Sequence, residues 1–528
     1  MDENLTPTDE QQEVIDLFGS GESLGVSALA GTGKTASLAM AAAAYPQKRI
    51  RYVAFSKALS VDAKDAMPPN VEVSTIHSLA IKVSGGPYRH RLGGKRKPSW
   101  ETARNLGIRS IPVQTEDGQV MLNPDYLAGV VMMGLRRYCS SADPEPLAKH
   151  MPFIEGVDLP DAAGRRTYVH NDEIRDELLP FLRAAWADQC DPRGDRTRYE
   201  HFSYLKLYAL EERQIEADAA FIDEAQDLQE VMAQIFRQQR STQLVAVGDE
   251  HQMVFEFLRT VNGMVEIQPT NHAYLTASWR FGPAIAEAAN EILTLLGSER
   301  LLVGKGPQDG TVGPIKGPPR SVLSRTNATA VRELLQHQAA GHKVHLVGGG
   351  QDIASFARGA GDLMEGRSTN HRELAPFSSW SQVQSYVNAD PEGDDLRLLV
   401  RLVDEFTVPI ILEALDGGVP MNRADVCVLT AHKGKGLTFD STMIAGDFPD
   451  ETTEGAELRL LYVACTRPRH TLDVTRCGAM GLILGDQADP GASSTALSPP
   501  PAESPSPAPT TLVSSEGELD LFGEPATS

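Results

Sequence analysis

The sequence predicts an α/β protein built on two parallel sheets, and three observations carry that prediction. The apolar run Leu24-Gly25-Val26-Ser27 leads through Ala28-Leu29-Ala30-Gly31-Thr32-Gly33-Lys34-Thr35 into an Ala-rich segment closed by Pro46. Strand, tight loop and helix in that order form the setting of a phosphate-binding loop. A second apolar strand, Ala219-Ala220-Phe221-Ile222, delivers the carboxylates of Asp223 and Glu224 at its end. Beyond Ser321 a new series of short apolar runs begins (Ser321-Val322-Leu323-Ser324, Lys343-Val344-His345-Leu346-Val347, Val426-Cys427-Val428-Leu429). Strands alternating with helical stretches are the pattern of parallel βαβ units.

With 528 residues the chain is too long for one ordinary domain, and length suggests roughly three or four. The pattern divides it into a first lobe (1–84 and 205–283) interrupted by a mostly helical insertion (85–204). A second lobe (284–350 and 422–480) carries a shorter insertion (351–421), and a tail covers 481–528. That tail, rich in Pro, Ser, Ala and Thr, lacks the apolar content to pack and is expected to be disordered.

The 49 basic and 71 acidic residues give a net charge of −22. Seven of the acids lie in the tail after Gly481, which has no Lys or Arg, leaving −15 for the body. This balance argues against non-specific coating of nucleic acid but leaves room for a narrow basic channel, because the local field decides. Five scattered cysteines with no C-x-x-C pair imply neither a disulfide framework nor a zinc site. An acidic N-terminus without a signal-peptide plan, and no apolar run near the roughly 20 residues that cross a bilayer, predict a cytoplasmic protein with no membrane partner.

The residues suggest their chemistry in chain order. Gln11, ahead of the phosphate loop, offers an amide donor and acceptor of the kind that reads an adenine edge. The backbone of Ala30, Gly31, Thr32 and Gly33 can curl around phosphate, Lys34 can reach the β- and γ-phosphates, and the Thr35 hydroxyl can hold Mg²⁺. Phe55, Ser56 and Lys57 follow one strand, and Thr75 and His77 another. An aromatic ring there can stack a base and a lysine can meet a phosphate. Asp223 is expected on Mg²⁺ and Glu224 on the attacking water. Gln252 is placed to report the γ-phosphate, and Phe255 or Phe257 to stack a base. Trp279 offers a face for adenine and Arg280 a charge for phosphate. Arg467, late in the second lobe, is an arginine-finger candidate, although a surface arginine is the plainer reading of it alone. Within 85–204, basic residues interleaved with Tyr88, His90 and Trp100 suit either a strand track or a solvated loop.

Together these stretches resemble the superfamily 1 DNA helicases of the UvrD/Rep/PcrA type, and most closely the F-box DNA helicases with their phage and bacterial relatives. The resemblance covers residues 5–474, with its motifs in the family's order: Gln11, the A-x-A-G-T-G-K-T loop, Phe55-Ser56-Lys57, Thr75-Ile76-His77-Ser78, Asp223-Glu224-Ala225-Gln226-Asp227, Gly248-Asp249 through Gln252, Leu275 through Arg280, Thr430 through Leu437, and Tyr462 through Arg467. It implies two RecA-like domains with ATP and Mg²⁺ between them and travel 3′ to 5′ along single-stranded DNA, with tailed duplexes as substrates. It also implies strand contacts from Arg325, Thr430, His432 and Lys433 and a nucleotide contact at Gly436. Thr438 stands where many relatives have glutamate, and Leu258-Arg259 replaces the usual Arg-Gly. The tail's Glu518-Leu519-Asp520-Leu521-Phe522 resembles the peptide by which replication factors hold the sliding clamp, with Leu519, Leu521 and Phe522 as its anchors. The reading is thus an ATP-dependent helicase serving repair, recombination or replication. The alternatives are a translocase that strips proteins from DNA and a nucleotide-gated adaptor.

Overall fold

The computed structural model describes residues 6–54, 57–94, 97–115, 118–154, 157–158, 169–255, 260–371, 373–375, 377–389, 394–450 and 455–485. Phe55, Ser56, Phe257 and the tail residues Leu519, Leu521 and Phe522 lie outside the described residues, as does the side chain of Lys57.

The first lobe is a six-stranded parallel sheet in the spatial order Asn271–Leu275, Leu24–Ala28, Gln243–Gly248, Ala219–Ile222, Ile50–Ala54, Val71–Thr75. The central strand Ala219–Ile222 is buried at every position, as expected of an apolar run covered on both faces. This order explains how residues far apart in sequence meet. The phosphate loop leaves the C-terminal end of Leu24–Ala28 and the acid pair leaves the same end of Ala219–Ile222, with Gln243–Gly248 between them. In open α/β sheets that edge is where ligands bind.

The second lobe is another six-stranded parallel sheet, ordered Thr311–Val312, Pro468–Asp473, Phe439–Ile444, Ser321–Ser324, Val426–Thr430, Val344–Leu346. After Val344–Leu346 the chain turns through Gly348, Gly349 and Gly350 at φ 84, 72 and 66°, three consecutive left-handed residues that only glycine adopts without strain. One apolar cluster spans both lobes. Leu29, Ala30 and Val254 of the first pack with Ile285 and Ala289 of the helix Pro283–Leu295 and with Leu461 and Tyr462 of the helix Gly455–Cys465.

The first insertion is mostly helical, as expected, and its second boundary shifts. Besides the helices Ser99–Leu106, Pro124–Ser140 and Val169–Cys190, it holds an antiparallel hairpin, Ile111–Thr115 against Gly118–Leu122. Residue 205 falls inside the helix His201–Leu210, whose Tyr204, Leu205 and Tyr208 join the first lobe's core. The join therefore precedes His201. The second insertion comprises the helices Gln351–Met364, Trp380–Ala389, Asp394–Phe406 and Val408–Asp416 around Phe356, Trp380, Val400 and Ile411. Among the described residues no helix is long and apolar enough to cross a membrane.

Candidate nucleotide site between the lobes

The phosphate loop is shaped by two left-handed glycines, Gly31 at φ 77° and Gly33 at φ 81°, with Gly33 capping the helix Lys34–Ala44. The first-turn N–H groups of such a helix lack intrahelical acceptors and face outward, which suits an anion. Thr32 is turned inward, its hydroxyl donating to the Leu29 carbonyl at 2.8 Å. Lys34 Nζ lies 3.0 Å from Glu224 Oε1. The Thr35 hydroxyl donates to Asp223 Oδ2 at 3.0 Å, and the buried Tyr52 hydroxyl donates to that same oxygen.

The acid box is held by its own backbone. Glu224 adopts φ 51°, a left-handed conformation costing a side-chain-bearing residue on the order of 1–3 kcal/mol. Its N–H donates to Asp223 Oδ1 at 2.9 Å, and Gln226 Nε2 donates to Glu224 Oε2 at 2.5 Å. Burial and the neighbouring Glu224 charge raise the Asp223 pKa. Burial works in the same direction on Glu224, but the charges of Lys34 and Lys435 outweigh it and hold that carboxyl below the usual carboxylate range. Perturbed titratable groups gather at functional sites, and this pair stands at the sheet edge where ligands bind.

The second lobe closes this edge. Arg467, only 1% exposed, reaches the Gln252 side-chain oxygen at 3.3 Å, while Gln252 Nε2 donates to Asp249 Oδ2 at 2.7 Å. Tyr462 donates its hydroxyl to Asp249 at 3.3 Å and accepts the Ala30 N–H at 3.1 Å, so a second-lobe phenol touches the phosphate loop itself. Arg280 donates to the Thr466 carbonyl at 2.8 Å. Lys435 pairs with Asp227 at 2.6 Å and Arg459 donates to the Met253 carbonyl at 3.0 Å. The plain reading of Arg467 as a surface arginine is thereby corrected: the inter-lobe core swallows its stem.

Three observations bear on whether a triphosphate and its metal fit. Among the described residues Arg280 and Arg467 form no ion pair; their guanidiniums meet only neutral acceptors. Burial, followed by the Arg280 charge, lowers Arg467 to about 9. Arg467 is buried and Arg280 half-buried, and cations so placed with neutral partners are costly unless an anion joins them. Ser278 Oγ is buried without a hydrogen-bond partner, at the place where a Cβ on Gly31 would come within 2.5 Å of it. No group of three or more His, Cys, Asp or Glu is placed to hold a metal ion among the described residues, but hydrated Mg²⁺ needs only one or two carboxylates. Thr35 and Asp223 would supply the oxygen ligands, and the residues fit.

The remaining predicted residues divide. Gln11 is buried beside the loop, but its amide is already engaged: its oxygen accepts the Thr8 N–H at 3.0 Å in a capping box and its nitrogen donates to Ser37 Oγ at 3.4 Å. Trp279 is 54% exposed beyond Gly31, whose carbonyl accepts its N–H at 2.9 Å. Gly436, at φ 82°, makes the turn before Leu437. Thr75 caps the helix Ile76–Val83, and the His77 ring meets the Tyr204 edge at 5.8 Å. Thr430 caps the helix Ala431–Gly434. His432 lies with its ring 6.1 Å from Phe255, and Lys433 Nζ lies 3.4 Å from Asn327 Oδ1. Arg325 departs from expectation, since its guanidinium is locked bidentately on Glu457 at 2.8 and 2.8 Å. That ion pair makes it an internal strut of the second lobe.

Sequence reasoning passed over Tyr52, Asp227, Asp249, Lys435 and Tyr462 as individual site residues. Asp227, Asp249, Lys435 and Tyr462 lie within motifs whose other members drew attention. Tyr52 sits in an apolar run and reads as core.

Two family models match the chain: an AAA domain over residues 11–258 and a UvrD-like helicase C-terminal domain over residues 356–478. Among curated proteins, F-box DNA helicase 1 of Gallus gallus is 28% identical over 512 residues, covering 88% of this chain and 48% of the relative. F-box DNA helicase protein 1 of Schizosaccharomyces pombe is 27% identical over 550 residues, covering 92% of this chain and 60% of the relative. The chain thus spans about half the length of the first and three-fifths of the second. With a loop-and-acid-box lobe facing an arginine-bearing lobe, and both halves matched by these models, the chain belongs to the UvrD-like superfamily 1 helicases, in their F-box DNA helicase-like branch.

Proposed function

We propose that this protein is an ATP-dependent DNA helicase that moves 3′ to 5′ on single-stranded DNA in repair, recombination or replication. The observation that carries the reading is the buried guanidinium of Arg467 beside the half-buried one of Arg280, neither paired with an acid among the described residues, at the edge that bears Lys34 and the phosphate loop. Cations converging from both lobes on one loop suit a polyanion bound between them. Lys34 trades Glu224 for phosphate when substrate enters, which releases the Glu224 carboxylate to orient water. Gln252, held between Asp249 and Arg467, senses whether the γ-phosphate is present. Mg²⁺, when bound at Thr35 and Asp223, supplies charge neutralisation on the phosphates. Arg280, Arg467 and Tyr462 draw the second lobe down and exclude water from the cleft.

Bases held on Phe55, Phe255 or Phe257 are each worth about 1–3 kcal/mol of stacking, weak enough to be released every cycle. Thr75, His77, Thr430, His432 and Lys433 are assigned to the strand's backbone. The anchors Leu519, Leu521 and Phe522 are assigned to a sliding-clamp partner. The test is unwinding of a duplex carrying a 3′ or a 5′ single-stranded tail, with DNA-stimulated phosphate release measured alongside. Activity confined to the 3′ tail is expected. Strand displacement from the 5′ tail alone would reverse the polarity, and absence of DNA-stimulated hydrolysis would remove the motor.

A further inference from the structure

A single ammonium links the nucleotide edge of the first lobe to the strand-holding turn of the second. Lys435 follows the short helix Ala431–Gly434 directly. Its Nζ lies 2.6 Å from Asp227 Oδ2 and donates to the Gln252 carbonyl at 2.6 Å. Its side chain is 9% exposed. The other carboxylate oxygen of Asp227, Oδ1, is buried with no hydrogen-bond partner, so Asp227 depends on this lysine for compensation. The same ammonium stands 5.5 Å from the centre of the Phe255 ring, within cation–π range. That ring lies 6.1 Å from His432, one turn back along the chain from Lys435.

The nucleotide side of this contact is crowded with charged and hydrogen-bonded groups. Glu224 feels both Lys34 and Lys435, so when Lys34 leaves Glu224 for phosphate, Lys435 stays against the acid box through Asp227. Gln252, whose backbone carbonyl Lys435 grips, has its side chain on Asp249 and Arg467. The strand side is equally close: Thr430, His432 and Lys433 occupy the turn that ends at Lys435, and Phe255 lies three residues after Gln252.

Resting on the DNA-motor reading above, we infer that Lys435 is the positioning residue through which occupancy of the nucleotide site sets the grip on the strand. Shifts of Asp227 and Gln252 move Lys435, and Lys435 moves both Phe255 and the turn bearing His432. Coupling of this kind is a ratio of affinities, typically about 5- to 150-fold, and it acts equally in both directions.

The experiment measures single-stranded DNA affinity by fluorescence anisotropy, with and without a saturating non-hydrolysable ATP analogue, for wild type, Lys435→Met, Lys435→Arg and Asp227→Asn. Wild type should show a ratio of about fivefold or more between the two conditions. Lys435→Met and Asp227→Asn should bring it below about twofold, and Lys435→Arg, which keeps the charge, should restore most of it. A residue that merely braces the lobes would lower both affinities and leave the ratio intact, and that result overturns the inference. A wild-type ratio near one, or wild-type protein that does not bind the strand, defeats the motor reading itself, and the inference with it.

Discussion

Tyr52→Phe deletes one oxygen and leaves the ring packing in place, so it isolates a single hydrogen bond at the acid box. In the structure Asp223 Oδ2 accepts from two hydroxyls, Tyr52 and Thr35, and Oδ1 accepts the Glu224 N–H. Tyr52 is 1% exposed, and burial followed by the Asp223 charge raises its pKa far above the usual phenol value, so it is a donor at every working pH. A hydrogen bond to a charged group contributes about 1.5–3 kcal/mol, and a partner that orients a metal-ligating carboxylate typically tunes metal affinity about 10- to 100-fold. If Tyr52 fixes the Asp223 carboxylate for Mg²⁺, the Mg²⁺ concentration giving half-maximal ATP hydrolysis should rise at least about tenfold in Tyr52→Phe. Direct Mg²⁺–nucleotide binding, measured calorimetrically without turnover, should weaken in parallel. A half-maximal concentration that stayed the same or fell would mean that Tyr52 is a bystander or competes with the metal, and the reasoning would fail.

Two further outcomes follow from the same edge of the sheet. Gly31→Ala places a Cβ 2.5 Å from Ser278 Oγ and 2.8 Å from Arg280 Cβ at φ +77°; it should displace Arg280 and slow ATP hydrolysis at least about tenfold, equivalent to about 1.4 kcal/mol, and an unchanged rate would contradict the placement of Arg280. Asp227 is raised to about 6 by burial, with Lys435 opposing, so its stabilising contribution is complete below about 3.8, the unperturbed aspartate value, and is lost as pH rises through 6. Wild type should therefore gain thermal stability relative to Asp227→Asn as pH falls from about 7.5 to about 5, and a difference independent of pH would remove the assigned shift.

The parts of the fold and site written locally were readable from sequence. The phosphate loop announces itself because strand, glycines, lysine and helix are contiguous, and the acid pair because it ends an apolar run. What could not be read depends on partners distant along the chain. Tyr52 looks like core until strand order places Ile50–Ala54 beside Ala219–Ile222. Between Lys433 and Lys435 nothing in the sequence says which ammonium crosses to the first lobe; the turn at Gly434 and the position of Asp227 decide. Arg325 reads as an open cation at a strand end, yet Glu457, 132 residues away, occupies it. The hairpin Ile111–Thr115 with Gly118–Leu122 was missed because each arm is short and the first contains a proline. Gln11 serves as both cap and candidate reader of adenine, and spacing cannot separate those uses.

The central claim is that two lobes share one triphosphate, and Arg467→Ala tests it most directly, with DNA-stimulated hydrolysis and nucleotide affinity measured on the same preparation. An arginine that meets the transferred phosphoryl group is worth about 10³- to 10⁵-fold in turnover. A loss of that order is expected, with nucleotide still bound through Lys34 and the first lobe. Turnover within a few-fold of wild type would mean that the first lobe hydrolyses alone, and would contradict the account.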